Sequence, residues 1–302
     1  MVPQGAPLQM KTCLLILVVT VTAAFAQSDP SMLVSTDWLA RHLEDKSLVI
    51  LHVGSRQDYD AGHIPGARLL TLADISINSD RGLWLELPPV EALEKAFGKV
   101  GVGDDTRIVV YPGTDSVQSA TRVWFTLDYL GLGARASLLD GGLAAWKVEA
   151  RRLTTDAPRV EPRQFVAHAR PELVVDADWV RAHLNDGGVQ LLDARTPEFY
   201  SGASAGNMPR AGHIPGARNV PFSSVLDEHR RLKPAGALRD MMHAGGGKRP
   251  GLTISYCHIG QQATVLYFVA RYLGMTARLY DGSFQDWSRR AELPVQTAAG
   301  TR

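Results

Sequence analysis

Ala61-Gly62-His63-Ile64-Pro65-Gly66-Ala67-Arg68 returns further along the chain as Ala211-Gly212-His213-Ile214-Pro215-Gly216-Ala217-Arg218. Eight identical residues at an offset of 150 are far beyond chance, so the chain is an internal duplication. The match extends outward in both directions. Leu33-Val34-Ser35-Thr36-Asp37-Trp38-Leu39 aligns with Val174-Val175-Asp176-Ala177-Asp178-Trp179-Val180 at an offset of 141. Tyr129-Leu130-Gly131 aligns with Tyr272-Leu273-Gly274 at 143, and Asp140-Gly141-Gly142 with Trp146 aligns with Asp281-Gly282-Ser283 with Trp287 at 141. The second copy therefore gains residues before its Gly-His block, and the small-residue stretch Ser201 to Arg210 reads as the inserted loop. Solenoid repeats have periods of roughly 20–50 residues. This spacing instead implies two copies of one domain.

Each copy alternates short apolar runs with amphipathic stretches. The runs are Leu48 to Val53, Ile108 to Tyr111 and Ser137 to Leu139 in the first half, and Val189 to Asp193, Leu252 to Tyr256 and Ala277 to Tyr280 in the second. Rich in β-branched residues and nearly continuous, they fit strands of a parallel sheet covered on both faces. Ser35 and Asp176 are expected N-caps for helices over Asp37 to Leu43 and Asp178 to Leu184. Gln262 to Leu273 places Val265, Phe268, Val269 and Tyr272 on one helical face, with Gly274 as its stop. Strand–helix alternation of this kind implies an α/β fold. The proline-rich and charged segment 151–171 reads as the linker between a domain over 31–150 and one over 172–295. With 32 basic and 31 acidic residues, the chain has no electrostatic footprint for nucleic acid.

Lys11, the apolar run Leu14 to Val21 and Ala24-Phe25-Ala26 before Gln27 read as a signal peptide over residues 1–26. The run is short for a membrane span, so no stable span is expected after cleavage; an uncleaved anchor is the alternative. Export to the periplasm or beyond is the expectation. Cleavage would remove Cys13 and leave Cys257 as the one cysteine of the mature chain, a free thiol or half of an intermolecular bond.

Cys257 follows an apolar strand and precedes a helix, at the carboxyl end where open α/β sheets place ligands. His258-Ile259-Gly260-Gln261-Gln262 must turn back sharply, with Gly260 supplying backbone freedom. Successive N–H groups in such a loop and the helix start form an anion cradle, where a cysteine is expected to exist partly as thiolate. This is nucleophile chemistry that calls for no metal and no cofactor. A cysteine phosphatase would need an arginine six residues on, and Ala263 stands there.

The Gly-His-Ile-Pro-Gly-Ala block, Asp193-Ala194-Arg195 after a strand, the strand–Cys257–loop–helix unit and the Asp-Gly-x-x-x-x-Trp block together resemble the rhodanese superfamily. Their tandem arrangement resembles two-domain thiosulfate and 3-mercaptopyruvate sulfurtransferases, over residues 31 to 295. The resemblance implies two rhodanese-like domains, each a parallel five-stranded sheet flanked by helices. It implies that Cys257 takes a sulfane sulfur from a small anionic donor and passes it, as a persulfide, to cyanide, a thiol or a protein acceptor. Arg195 matches the arginine that meets the donor, with Asp193 orienting it; His258, Ile259, Gly260, Gln261 and Gln262 complete the binding loop.

Aligning Tyr111 with Tyr256 puts Pro112 opposite Cys257, so the first domain is expected to wall the site without a nucleophile. Thr114 and Ser116 lack an evident base. The loop Cys257 to Thr264 matches neither donor class closely, with His258 where thiosulfate enzymes often carry arginine. The region around Glu198 lacks the further arginine that mercaptopyruvate enzymes use, although the insertion brings Arg210 nearby. That balance favours thiosulfate, with a mercaptopyruvate enzyme or a persulfide carrier as alternatives and a non-catalytic scaffold disfavoured. His63 and His213, shared by both halves, read as structural, as do the paired tryptophans. His258 is either a proton or charge partner over the pocket or a solvent-facing side chain.

Overall fold

A computed structural model describes Met1 and residues 28–114, 117–243, 251–298 and 300–301. The expected signal peptide and Cys13 lie outside these residues, as does Ser116.

In the first half the elements run β1 (Leu33–Val34), α1 (Thr36–Arg41), β2 (Leu48–Val53), α2 (Arg56–Ala61), β3 (Arg68–Leu70), α3 (Val90–Lys99), β4 (Arg107–Pro112), α4 (Val117–Tyr129), β5 (Ala136–Leu139) and α5 (Gly142–Val148). The second half repeats the plan with β6 (Val174–Val175), α6 (Ala177–Ala182), β7 (Val189–Asp193), α7 (Pro197–Ser201), β8 (Arg218–Asn219), α8 (Ala235–His243), β9 (Leu252–Tyr256), α9 (Ala263–Tyr272), β10 (Ala277–Tyr280) and α10 (Ser283–Arg289). Both sheets are five-stranded and parallel, ordered β1-β5-β4-β2-β3 and β6-β10-β9-β7-β8. The four two- and three-residue strands at the sheet edges are too short for periodicity to reveal.

Ser35 and Asp176 cap α1 and α6 by accepting from the N–H of Trp38 and Trp179. Both helices stop two residues sooner than the apolar pattern suggests, and the cause is local. His42 and His183 turn their imidazoles back onto the Trp38 and Trp179 carbonyls and stack on those indoles, at 3.9 and 3.8 Å, ending the turn. The linker is laid against the first domain: Arg163 N–H donates to Gly98, His168 to Leu130 and Arg170 to Tyr129, and Phe165 is buried. The second domain continues past residue 295, because Gln296 pairs with His213 across an antiparallel bridge.

α4 and α9 pack against each other and join the halves around a local two-fold axis. Thr121 and Thr264, equivalent at an offset of 143, hydrogen-bond each other at 2.8 Å. Trp124 meets Phe268 edge-on at 4.8 Å, and the reciprocal pair Phe125–Tyr267 meets at 4.9 Å. All four rings are at most 1 % exposed. Each such ring contributes on the order of 5 kcal/mol of gross apolar burial, so separating the halves would be costly. One apolar core accordingly runs through both domains.

Candidate active site

Strand β9 lies inside its sheet between β10 and β7, and its last residues are held on both sides. It delivers Cys257 to the sheet's carboxyl edge. There the Cys257 N–H donates to Ser283 Oγ at 3.1 Å, and its carbonyl accepts the Phe284 N–H at 3.0 Å. The next carbonyl, of His258, accepts from Gln285 N–H at 2.9 Å. Ser283 adopts a left-handed backbone (φ 51°) and donates its hydroxyl to Tyr280 O, so the start of α10 clamps the cysteine from below.

Because Cys257 and His258 are pinned, residues 258–262 must fold over them. Gly260 makes this possible at φ 78°; a Cβ there would lie 2.6 Å from the Asp281 carbonyl and 2.7 Å from its carboxylate. Among the described residues, no carbonyl or side chain takes the backbone N–H groups of His258, Ile259, Gly260, Gln261 and Gln262. Unused donors curled over the end of a strand are an anion nest. Cys257 itself is 1 % exposed, so an anion formed on its sulfur would meet those donors in place of bulk water.

Arg195 stands on the neighbouring strand end, buried and fixed. Asp193 takes its Nε at 3.0 Å and its Nη2 at 2.6 Å, Gly212 O takes Nη2 at 2.8 Å, and Phe284 lies flat beneath the guanidinium at 4.1 Å. Burial works against its charge, yet Asp193, with Tyr256 and Cys257, holds it above the ordinary arginine value. The Nη1 side of the fork is left without a protein partner among the described residues. Asp193 thus orients Arg195, as the motif implies.

His258 is half-buried and meets the Phe199 ring edge-on at 4.5 Å. Burial, reinforced by the Arg195 charge, pushes its imidazole down to about 4, so it is neutral at pH 7. Ile259 is half-buried beside it. Gln261 reaches over to the first domain, donating to Ser119 Oγ at 3.2 Å, whereas the buried Oε1 of Gln262 has no hydrogen-bond partner among the described residues.

Arg210 does not reach the site. Its guanidinium is taken up by the carbonyls of Trp287, Ser288, Arg290 and Leu293, closing the end of α10. His63 and His213 are structural in both halves, stacked on Tyr59 and Tyr200 and bonded to the carbonyls of those same residues. Thr114 is exposed and hydrogen-bonded to Asp58. That bond and one from Ser55 hold the Asp58 carboxyl below its usual value, which makes it a poor base for an aliphatic hydroxyl.

One residue of the site carries no motif. Arg122, on α4 of the first domain, is fully buried and crosses the interface. It ion-pairs Asp281, donates to Gly260 O at 3.3 Å and also bonds Leu85 O. Asp281 in turn accepts the Leu87 N–H at 3.0 Å, and Gln285 accepts that of Trp84 at 2.9 Å. The first domain therefore straps the cysteine loop as well as walling it. Only a difference between the halves could have flagged Arg122, since its equivalent at the offset of 143 is Val265.

A parallel-sheet domain occurring twice, with an anion nest around one cysteine and an Asp-anchored arginine beside it, defines a sulfur-handling class. The Rhodanese-like domain model matches residues 35–149 and again 176–290, and the chain belongs to the rhodanese family, in its tandem-domain sulfurtransferase form. It is 32 % identical over 287 residues to the "Sulfur carrier protein TtuD" of Thermus thermophilus, covering 88 % of this chain and 96 % of the relative. It is 32 % identical to the 3-mercaptopyruvate sulfurtransferase of Escherichia coli K12, with 87 % and 97 % covered. It is also 31 % identical to a putative thiosulfate sulfurtransferase of Saccharopolyspora erythraea, with 89 % and 97 % covered. Among solved structures, wild-type EanB superposes with a TM-score of 0.78 at 22 % identity, over 90 % of this chain and 70 % of that one, a likeness of fold.

Proposed function

We propose that the chain is a sulfurtransferase that uses thiosulfate as donor and carries the sulfur as a persulfide on Cys257. The Cys257 thiolate attacks the outer sulfur of thiosulfate. A new S–S bond forms, the bond inside thiosulfate breaks, and sulfite leaves with the electron pair. The persulfide anion sits among the free N–H groups of residues 258–262, which offset its charge without reorganising. Cyanide carbon or a thiolate then attacks the terminal sulfur, and Cys257 leaves as thiolate. Arg195, fixed by Asp193, meets the anionic donor and the departing sulfite through its unused Nη1 side.

The observation that carries this reading is the set of five N–H groups, unpaired among the described residues, folded over the chain's one cysteine outside residues 1–26. Thiosulfate is preferred to 3-mercaptopyruvate because the second nearby arginine, Arg210, is fully engaged by carbonyls and cannot grip a carboxylate. A protein acceptor is the second reading, favoured by the full-length likeness to a relative named as a sulfur carrier. The deciding experiment loads the protein with each donor and reads Cys257 by intact mass. Gain of one sulfur atom from thiosulfate, absent in Cys257→Ser, supports the proposal. Loading by 3-mercaptopyruvate alone would replace the donor, and a persulfide that neither cyanide nor small thiols discharge would favour the carrier.

We also propose that the mature chain begins at Gln27 after export. The apolar run Leu14 to Val21 before Ala24-Phe25-Ala26 supports this reading, and no helix among the described residues is long and apolar enough to cross a membrane. N-terminal sequencing of the natural protein tests it; a start at Met1 or Met10 would refute it.

A further inference from the structure

The first domain keeps a cavity of about 400 Å³ at the carboxyl ends of β4 and β5, the counterpart of the catalytic position. The local two-fold axis explains why it is open. In the catalytic half, Arg122 enters from the other domain and bonds three groups: Gly260, Asp281 and Leu85. The equivalents of Asp281 and Leu85 are Asp140 and Arg230, and both line the cavity. The equivalence is tight. Leu85 and Arg230 share a left-handed backbone at φ 61° and 62°. Leu232 N–H donates to Asp140 at 3.0 Å, just as Leu87 N–H donates to Asp281 at 3.0 Å. What Asp140 lacks, among the described residues, is a direct ion-pair partner such as Arg122; the Arg231 charge bears on it, but Arg231 is paired with Glu149. The residue equivalent to Arg122 is Val265, too short to carry charge to Asp140.

We propose that this cavity is a binding site for a small guanidinium or alkylammonium compound, whose cationic head occupies the place of the Arg122 guanidinium and pairs with Asp140. The remaining wall sets the shape of the rest of the ligand. Leu138, Phe222, Leu226 and Leu232 supply an apolar surface for a short aliphatic arm. Two nearby charges bear on the head. Arg231 passes over Gly141, but its Nη2 is held by Glu149 at 2.9 Å. Arg230 is exposed, and Asp227, also in the wall, offsets it. The site is separate from Cys257 and does not depend on the sulfur-transfer reading.

The test uses the full chain and n-butylguanidine, with the uncharged isostere n-butylurea as comparison, followed by calorimetry. The expected result is one saturable site with affinity on the order of millimolar. Butylurea should bind at least about tenfold more weakly, as should Asp140→Asn, because a charge-assisted pair is lost. Cys257→Ser should bind unchanged, and Val265→Arg, which supplies the guanidinium internally, should not bind. Amide shifts in the wild-type protein give a check that needs no variant to fold: Gly113, Gly141 and Leu232 should move on titration. Equal binding of butylurea, undiminished binding by folded Asp140→Asn, loss in Cys257→Ser, shifts centred on Gly260 and Asp281, or no binding at all would each overturn the proposal.

Discussion

The two strand-end sites share their backbone plan and differ in three respects. Where the second domain has Asp193-Ala194-Arg195, the first has His52-Val53-Gly54; where it has Cys257, the first has Pro112. The third difference is contributed in exchange, since Arg122 from the first domain fills the second domain's site while Val265 leaves the first domain's site open. Even the buried tyrosines correspond: Tyr111 and Tyr256 both accept the N–H of the isoleucine in the repeated block, at 3.2 Å. Tyr111 is also bonded to His52, which replaces Asp193. Duplication preserved the frame, and chemistry was concentrated in one copy by placing a thiol and two guanidinium groups around one loop.

That comparison can be attacked at its largest expected effect first. Cys257→Ser should lower thiosulfate:cyanide transfer by about 10⁴-fold or more, as loss of a nucleophile does. Adding Pro112→Cys to that variant should restore nothing, because Gly54 supplies no arginine; recovered thiocyanate formation would show that the frame alone suffices. Arg195→Met should cost about 10²-fold in kcat/KM. It should also cost roughly 3–5 kcal/mol of stability, because Asp193 is left buried without its partner; steady-state kinetics and urea unfolding measure the two.

Arg122→Met should slow persulfide loading by about tenfold while Cys257 remains chemically present, since it removes a charged hydrogen bond to the loop. Arg122→Lys should recover part of the rate if the charge matters. Equal loading rates in all three proteins, read by intact mass against time, would reduce Arg122 to a packing residue.

A separate effect concerns acid. Burial pushes both His52 and His258 down to about 4, below the ordinary value of 6.5. A base depressed in the folded state leaves the unfolded state binding more protons, so stability falls as pH drops from about 6.5 to about 4. His52, with no exposed surface, contributes at most about 3 kcal/mol of that loss. His52→Leu should flatten the urea midpoint over that interval, and an unchanged slope would mean His52 is already protonated in the native state.

The duplication, the six longer strands, the capped starts of α1 and α6, the nest around Cys257 and the Asp193–Arg195 pair were all legible in the chain. Each depends on residues close in sequence or on a pattern repeated within it. The edge strands were not legible, because two or three residues carry no period. The ends of α1 and α6 depart from the apolar pattern, because His42 and His183 stop those helices through side-chain contacts rather than through a breaker residue.

The insertion puts Arg210 near Glu198 in sequence, but four carbonyls from around α10 claim its guanidinium. The sequence by itself determined which half holds the nucleophile, because a cysteine opposite a proline is a local fact. Tertiary structure decided what completes each site. Arg122 and Asp281 stand 159 residues apart, and only the packing of α4 on α9 brings a guanidinium to one loop and withholds it from the other.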